Sequence, residues 1–141
     1  MKKLAVVYYS MTGNTEAMAN EVVAGAKEAG AEVSLFSSAD FKADMLDQFD
    51  AIAFGCPAMG NEELEENEFE PLFAECEGKL GQKPIGLFGS YSWAVGEWMD
   101  TWKERCANGN LRVVDTVIAF EAPDDAAKEA CAGLGKALAT A

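Results

Sequence analysis

KKLAVVYYSMTGNTEAMANEVVAGAKEAG, residues 2–30, is the stretch that decides the fold. Residues 2–9 are almost unbroken Leu, Ala, Val and Tyr. So short a run without polar alternation reads as a strand covered on both faces, as in parallel sheets. Residues 14–29 have helical composition and stop at Gly30, a residue that ends helices because it tolerates left-handed backbone. A buried strand, a tight polar loop and a helix make the first half of a βαβ unit.

The alternation continues outward from that unit. Further strands are expected at 31–37, 49–55, 84–89 and 111–120, the last interrupted near Asp115. Helices are expected at 40–46, 69–76, 96–107 and 124–139. Pro71 is tolerable in a first turn, Asn108-Gly109 reads as a turn, and Asp124 is placed to cap the last helix. No repeat, low-complexity tract or linker divides the chain, so residues 1–141 are expected to form one domain. The fold class is α/β, a doubly wound five-stranded parallel sheet of order 2-1-3-4-5 with helices on both faces. Ligands of such sheets sit outside the strands' carboxyl ends, where the winding reverses. Here that crevice lies among the loops after Tyr9, Gly55 and Gly89.

The first of these loops reads Ser10-Met11-Thr12-Gly13-Asn14-Thr15. A helix start offers unpaired N–H groups and partial positive charge to an anion. Ser10, Thr12 and Thr15 add hydroxyls and Asn14 an amide, while Gly13 allows close backbone approach. The loop holds no Lys or Arg, so it is neither a Walker loop nor a GxGxxG turn. Neutral donors suit one terminal monophosphate better than a nucleoside triphosphate. An ordinary capped helix start would use the same residue types, though fewer of them.

The loop after the third strand runs Gly55-Cys56-Pro57-Ala58-Met59-Gly60-Asn61-Glu62. Gly60-Asn61 can be the central pair of a type II or II′ turn, interconverted by rotating one peptide. That rotation exchanges a carbonyl for an N–H on the face shown to a ligand. A plain hairpin-like turn is the simpler reading. After the fourth strand, Gly89, Ser90, Tyr91, Ser92 and Trp93 set two aromatics in a polar loop, where they can stack on a planar ring or pack on the core. Trp98 and Trp102, four apart in the following helix, read as core. A single phosphate at one loop and a flat ring between the other two describe a molecule such as FMN.

With 24 acidic and 11 basic residues the net charge is −13. Nucleic acid and anionic membrane are poor partners for such a surface, and a protein with a basic face is a good one. No apolar run approaches the ~18 residues of a membrane span. The apolar stretch 4–9 is too short for a secretory signal and no small-residue cleavage site follows it, so a cytoplasmic location is expected. Cys56, Cys76, Cys106 and Cys131 are too widely spaced for a disulfide or zinc framework, and histidine is absent. These cysteines read as small buried hydrophobes.

SMTGNTEAMA, GCPAMGNEELEENEFEPL and LFGSYSWAVGEWMD, in register along nearly the whole chain, resemble the short-chain flavodoxins of anaerobic bacteria. Flavodoxin is itself one of the folds from which the crevice rule is drawn, so the placement above applies that rule. The resemblance implies noncovalent FMN and low-potential one-electron transfer between redox proteins, as a monomer standing in for ferredoxin. It implies that Ser10, Met11, Thr12, Gly13, Asn14 and Thr15 hold the phosphate, and that Met59 covers the inner ring face and Trp93 the outer. Pro57 and Ala58 belong to the same ring-binding loop. The Gly60-Asn61 peptide would turn over on reduction, Glu62 would bind the ring's N3 side, and Gly89, Ser90 and Tyr91 would line the ribityl and pyrimidine side. Met11 stands where these proteins carry Gly, Tyr9 where they carry Trp, Ser92 where they carry Gly, and Asn61 where they carry Asp or Gly.

Glu62, Glu63, Glu65, Glu66, Glu68 and Glu70 crowd nine residues beside the expected ring. A carboxylate ~10 Å from an anionic reduced flavin costs it roughly 1.7 kcal/mol at an effective dielectric of ~20, which lowers the second potential. Some of these residues also read as a solvated helix face. The alternative function is a small FMN-dependent NAD(P)H:quinone reductase on the same fold. A phosphoacceptor receiver domain would need an Asp at the end of the third strand, where Phe54-Gly55-Cys56 stands instead. A cofactor-free interaction module would be colourless.

Overall fold

The computed structural model describes residues 2–11, 13–59, 63–92 and 96–141. In chain order these form β1 (Lys3–Tyr8), α1 (Asn14–Glu28), β2 (Glu32–Ser37), a 3-10 turn (Ala43–Gln48), β3 (Ala51–Gly55) and α2 (Phe69–Glu77). They continue with β4 (Pro84–Tyr91), α3 (Glu97–Asn108), β5 (Arg112–Phe120) and α4 (Asp125–Thr140). The five strands make one sheet of order β2-β1-β3-β4-β5, every neighbouring pair parallel, as the alternation requires.

The continuous apolar strands are explained by cover on both sides. Leu4, Val6, Ala51, Ala53 and Phe88 share one core with Met18 and Val22 of α1 and Cys131, Leu134 and Leu138 of α4. Ala5, Val7, Ile52, Phe54, Ile85 and Leu87 point the other way, into a core with Phe69, Phe73, Trp98 and Trp102. Successive strand residues thus serve opposite faces. Each fully buried large aliphatic or aromatic side chain contributes about 1.5–3 kcal/mol of transfer free energy. All four cysteines are free and buried, and Trp98 and Trp102 are core residues.

Local signals are largely obeyed. Gly30 takes the left-handed conformation after α1 (φ +93°). The Asp124 carboxylate accepts the Ala127 N–H at 2.8 Å and caps α4.

Three details differ from expectation. The helix expected at 40–46 is the later 3-10 turn, because Lys42 is extended (φ −124°, ψ 147°) while Phe41 is buried against Phe36, with ring centroids 5.2 Å apart. The break expected near Asp115 is a bulge: Ile85 pairs with Val113 and Gly86 with Asp115, which leaves Val114 as the extra residue on an edge strand. The turn expected at Asn108-Gly109 falls one residue later, at 109–110, with Asn110 in the left-handed conformation (φ 59°). The Asn110 and Leu111 N–H groups return to the Ala107 and Cys106 carbonyls.

Candidate functional site

The loop between β1 and α1 lies at the carboxyl end of the sheet. Gly13 is the residue before α1 and is left-handed (φ +92°), a backbone that L side chains rarely adopt. The Ser10 hydroxyl accepts the N–H groups of Gly13 (3.1 Å) and Glu16 (3.3 Å), which folds the loop over the helix start. Thr15, 1% exposed, has a buried hydroxyl with no hydrogen-bond partner among the described residues. A buried polar group without a partner costs about 1–3 kcal/mol. Together with the unpaired N–H groups of a helix end, it makes a cradle that an oxygen-rich anion would satisfy.

Met11 is 68% exposed, so its side chain stands in solvent and does not narrow the loop. Glu16 is turned to Tyr8, whose phenol donates to it at 2.8 Å. This hydrogen bond pushes the Tyr8 pKa above its ordinary value. A cavity of about 540 Å3 runs beside the loop, between Tyr9, Ser10 and Met11 on one side and Ser37, Ser38 and Glu68 on the other. Thr12 lies outside the described residues.

The segment after β3 is sewn to β4. The Cys56 N–H donates to the Phe88 carbonyl and the Ala58 N–H to the Ser90 carbonyl, both at 3.0 Å. A Cβ on Gly89 would lie 2.1 Å from the Cys56 carbonyl oxygen, so the two loops approach as only glycine permits. Met59 and Glu63 form an antiparallel bridge through two 2.9 Å hydrogen bonds. Gly60, Asn61 and Glu62 themselves lie outside the described residues, as does Trp93. Pro57, Ala58 and Met59 are partly exposed along the crevice.

β4 runs two residues beyond the expected end at Gly89, because Ser90 and Tyr91 still pair with Ala119 and Phe120 of β5, and Ser90 is buried. Tyr91 stacks on Phe120 at 5.5 Å and 17° and lies 5.8 Å from Trp98. The loops after β1, β3 and β4 thus share one end of the sheet, as the crevice rule demands.

The acidic run divides by environment. Glu70 and Glu77 are engaged by Arg105, through hydrogen bonds of 2.6 to 3.0 Å. Glu68 accepts from the Ser38 hydroxyl. Glu65, 5% exposed, accepts three backbone N–H groups and is a structural anchor, whereas in the sequence it is one charge among six. Its one sequence signal is a carboxylate four residues ahead of the apolar helix start at Phe69. No helix among the described residues is long and apolar enough to cross a membrane.

The sequence profile of the family described as Flavodoxin matches residues 6–135. The chain is 49% identical over 136 residues to the flavodoxin of Megasphaera elsdenii, which covers 96% of this chain and 98% of that one. It is 40% identical over 136 residues to the flavodoxin of Clostridium beijerinckii, with 96% and 99% covered. The solution structure of two-electron reduced Megasphaera elsdenii flavodoxin superposes with a TM-score of 0.91 at 48% identity, covering 98% and 99% of the two chains. Likeness to the NAD(P)H dehydrogenase (quinone) of Rhodopseudomonas palustris is confined to 35 residues, 25% of this chain and 18% of that protein.

Proposed function

Since this chain belongs to the flavodoxin family, whose members are FMN-binding electron carriers, we propose that it is a low-potential one-electron carrier built as a single domain over residues 1–141. When bound, FMN supplies stepwise uptake and release of single electrons; the protein supplies the hold and the surroundings. Ser10, Thr12, Gly13, Asn14 and Thr15 hold the phosphate, with Met11 contributing backbone alone. Met59 and Trp93 cover the ring, and Gly60, Asn61 and Glu62 meet its polar edge. Pro57, Ala58, Gly89, Ser90 and Tyr91 line the remaining wall.

The observation that carries this reading is the unpartnered hydroxyl of Thr15 under the first loop, in a stretch with no Lys or Arg. Neutral donors leave the phosphate's charge uncompensated, and the net charge of −13 adds to it, so that adding electrons is disfavoured and the potential is lowered. The protein acts with redox partner proteins. Its acidity suits partners with basic docking faces, and like-charge repulsion favours a monomer. A cytoplasmic place and the role of ferredoxin substitute complete the proposal.

Titration of the apoprotein with FMN and with riboflavin, read by flavin fluorescence, tests the phosphate cradle. FMN is expected to bind one per chain and riboflavin far more weakly. Thr15→Val is expected to weaken FMN roughly tenfold, the loss of about 1.4 kcal/mol from one hydrogen bond. Equal affinity for the two flavins would overturn the cradle. Steady oxidation of NADPH by a quinone on the purified protein would favour the reductase reading, for which the short likeness to a quinone dehydrogenase speaks.

A further inference from the structure

Residues 56–59 leave β3 as an outgoing leg, and residues 63–68 form a returning leg into α2. The outgoing leg is held by β4, through the Cys56 and Ala58 N–H groups. The returning leg is pinned by one buried side chain. The Glu65 carboxylate accepts from the Glu68 N–H (2.6 Å) and Phe69 N–H (2.9 Å) on one oxygen and from the Asn67 N–H (2.8 Å) on the other. Its own N–H donates to the Cys56 sulfur at 3.4 Å, and its carbonyl accepts the Glu70 N–H at 2.8 Å. One residue therefore joins the end of β3, the returning leg and the first turn of α2.

A buried carboxylate survives only where such donors replace its water, and an anion at a helix start also meets the favourable end of the helix dipole. Two residues earlier, Glu63 is bridged to Met59, so Leu64 alone separates the anchored residue from that bridge.

We infer that Glu65 is a positioning residue for the flavin ring: by fixing Glu63, and through it Met59, it sets where Met59 stands against the ring. This rests on the FMN reading above. It assigns Glu65 a role that the exposed Glu66 beside it does not share.

The test compares Glu65→Gln with Glu66→Gln, which removes an exposed charge from the same stretch. Two readouts are taken: amide hydrogen exchange at Met59 and Glu63 in the apoprotein, and the two one-electron potentials of the FMN-loaded protein. Glu65→Gln should speed exchange at both amides and narrow the gap between the potentials by about 59 mV, a tenfold change in the equilibrium between the three redox states. Glu66→Gln should leave exchange unaltered and move the gap less. Equal shifts in the two variants, or unaltered exchange in Glu65→Gln, would overturn the inference. If Glu65→Gln does not fold, Glu65→Asp, which keeps the charge but shortens its reach, should show the same two effects. Failure of the native protein to bind FMN would sink the proposed function, while the exchange experiment would still read the role of Glu65.

Discussion

The indole N–H of Trp98 donates to the carbonyl of Cys56 at 3.1 Å. Trp98 belongs to α3 and Cys56 follows β3, so a core residue of one helix fixes the first residue of the segment proposed to bind the ring. Both residues are buried, and the carbonyl has no water to replace the indole. Trp98→Phe is expected to cost about 1–3 kcal/mol of unfolding free energy, measured by urea denaturation of the apoprotein, because it leaves that carbonyl without its donor. FMN affinity should fall with it, whereas a purely volumetric effect would leave the affinity unchanged.

Gly89 carries a different constraint. Its Cβ position is 2.1 Å from the Cys56 carbonyl oxygen and 3.0 Å from the Trp98 ring, both held by the core. Gly89→Ala must push β4 and the segment after β3 apart. Overpacking of this kind costs ~1–3 kcal/mol. The expected result is a lower melting temperature together with weaker FMN binding; a variant as stable as the native protein would contradict the close approach.

Burial pushes the thiols of Cys56, Cys76 and Cys131 up to about 12 and that of Cys106 to about 11. The thiolate is the reactive form, and at neutral pH it is scarce at all four positions. A disulfide reagent such as DTNB at pH 8 should therefore find no quickly reacting thiol in the native protein and all four cysteines after unfolding in guanidinium. Quick labelling of the native chain would show that one of the cores opens readily.

Glu65 makes stability depend on pH with a definite sign. Burial by itself would raise its pKa, but the N–H groups of Phe69, Asn67 and Glu68 outweigh that and leave it below the ordinary carboxylate range. A lowered carboxyl contributes stability that is present above the unfolded pKa and lost as pH falls through the folded one. Glu65→Gln should be less stable than the native chain at neutral pH, and the difference should shrink in acid, below an ordinary glutamate pKa of about 4.3. A difference independent of pH would show that the carboxylate's charge does not matter there.

The strand-loop-helix grammar of residues 2–30 was legible because each signal acts locally. An unbroken apolar run, a polar loop and a stop glycine need no distant partner to be understood. Asp124 could be assigned as a cap for the same reason, since its acceptor serves an N–H three residues on. The late start of the 3-10 turn was not legible, because it depends on Phe41 reaching Phe36 and Phe49 across the core. Nor was the division of labour among the glutamates. Glu70 and Glu77 find Arg105 from another helix, and Glu65 is distinguished by backbone N–H groups that every residue but proline carries. Hydrophobic pattern showed where the loops gather, but tertiary contact decided which of their side chains are engaged.

In the proposed function, three strand-end loops hold one FMN without help from cations and so tune it for single electrons. Stepwise reduction of the FMN-loaded protein, followed by absorption against dyes of known potential, tests this most directly. The account predicts one FMN per chain and two resolved one-electron steps, the second well below that of free FMN. A single two-electron step at the potential of free FMN would contradict it.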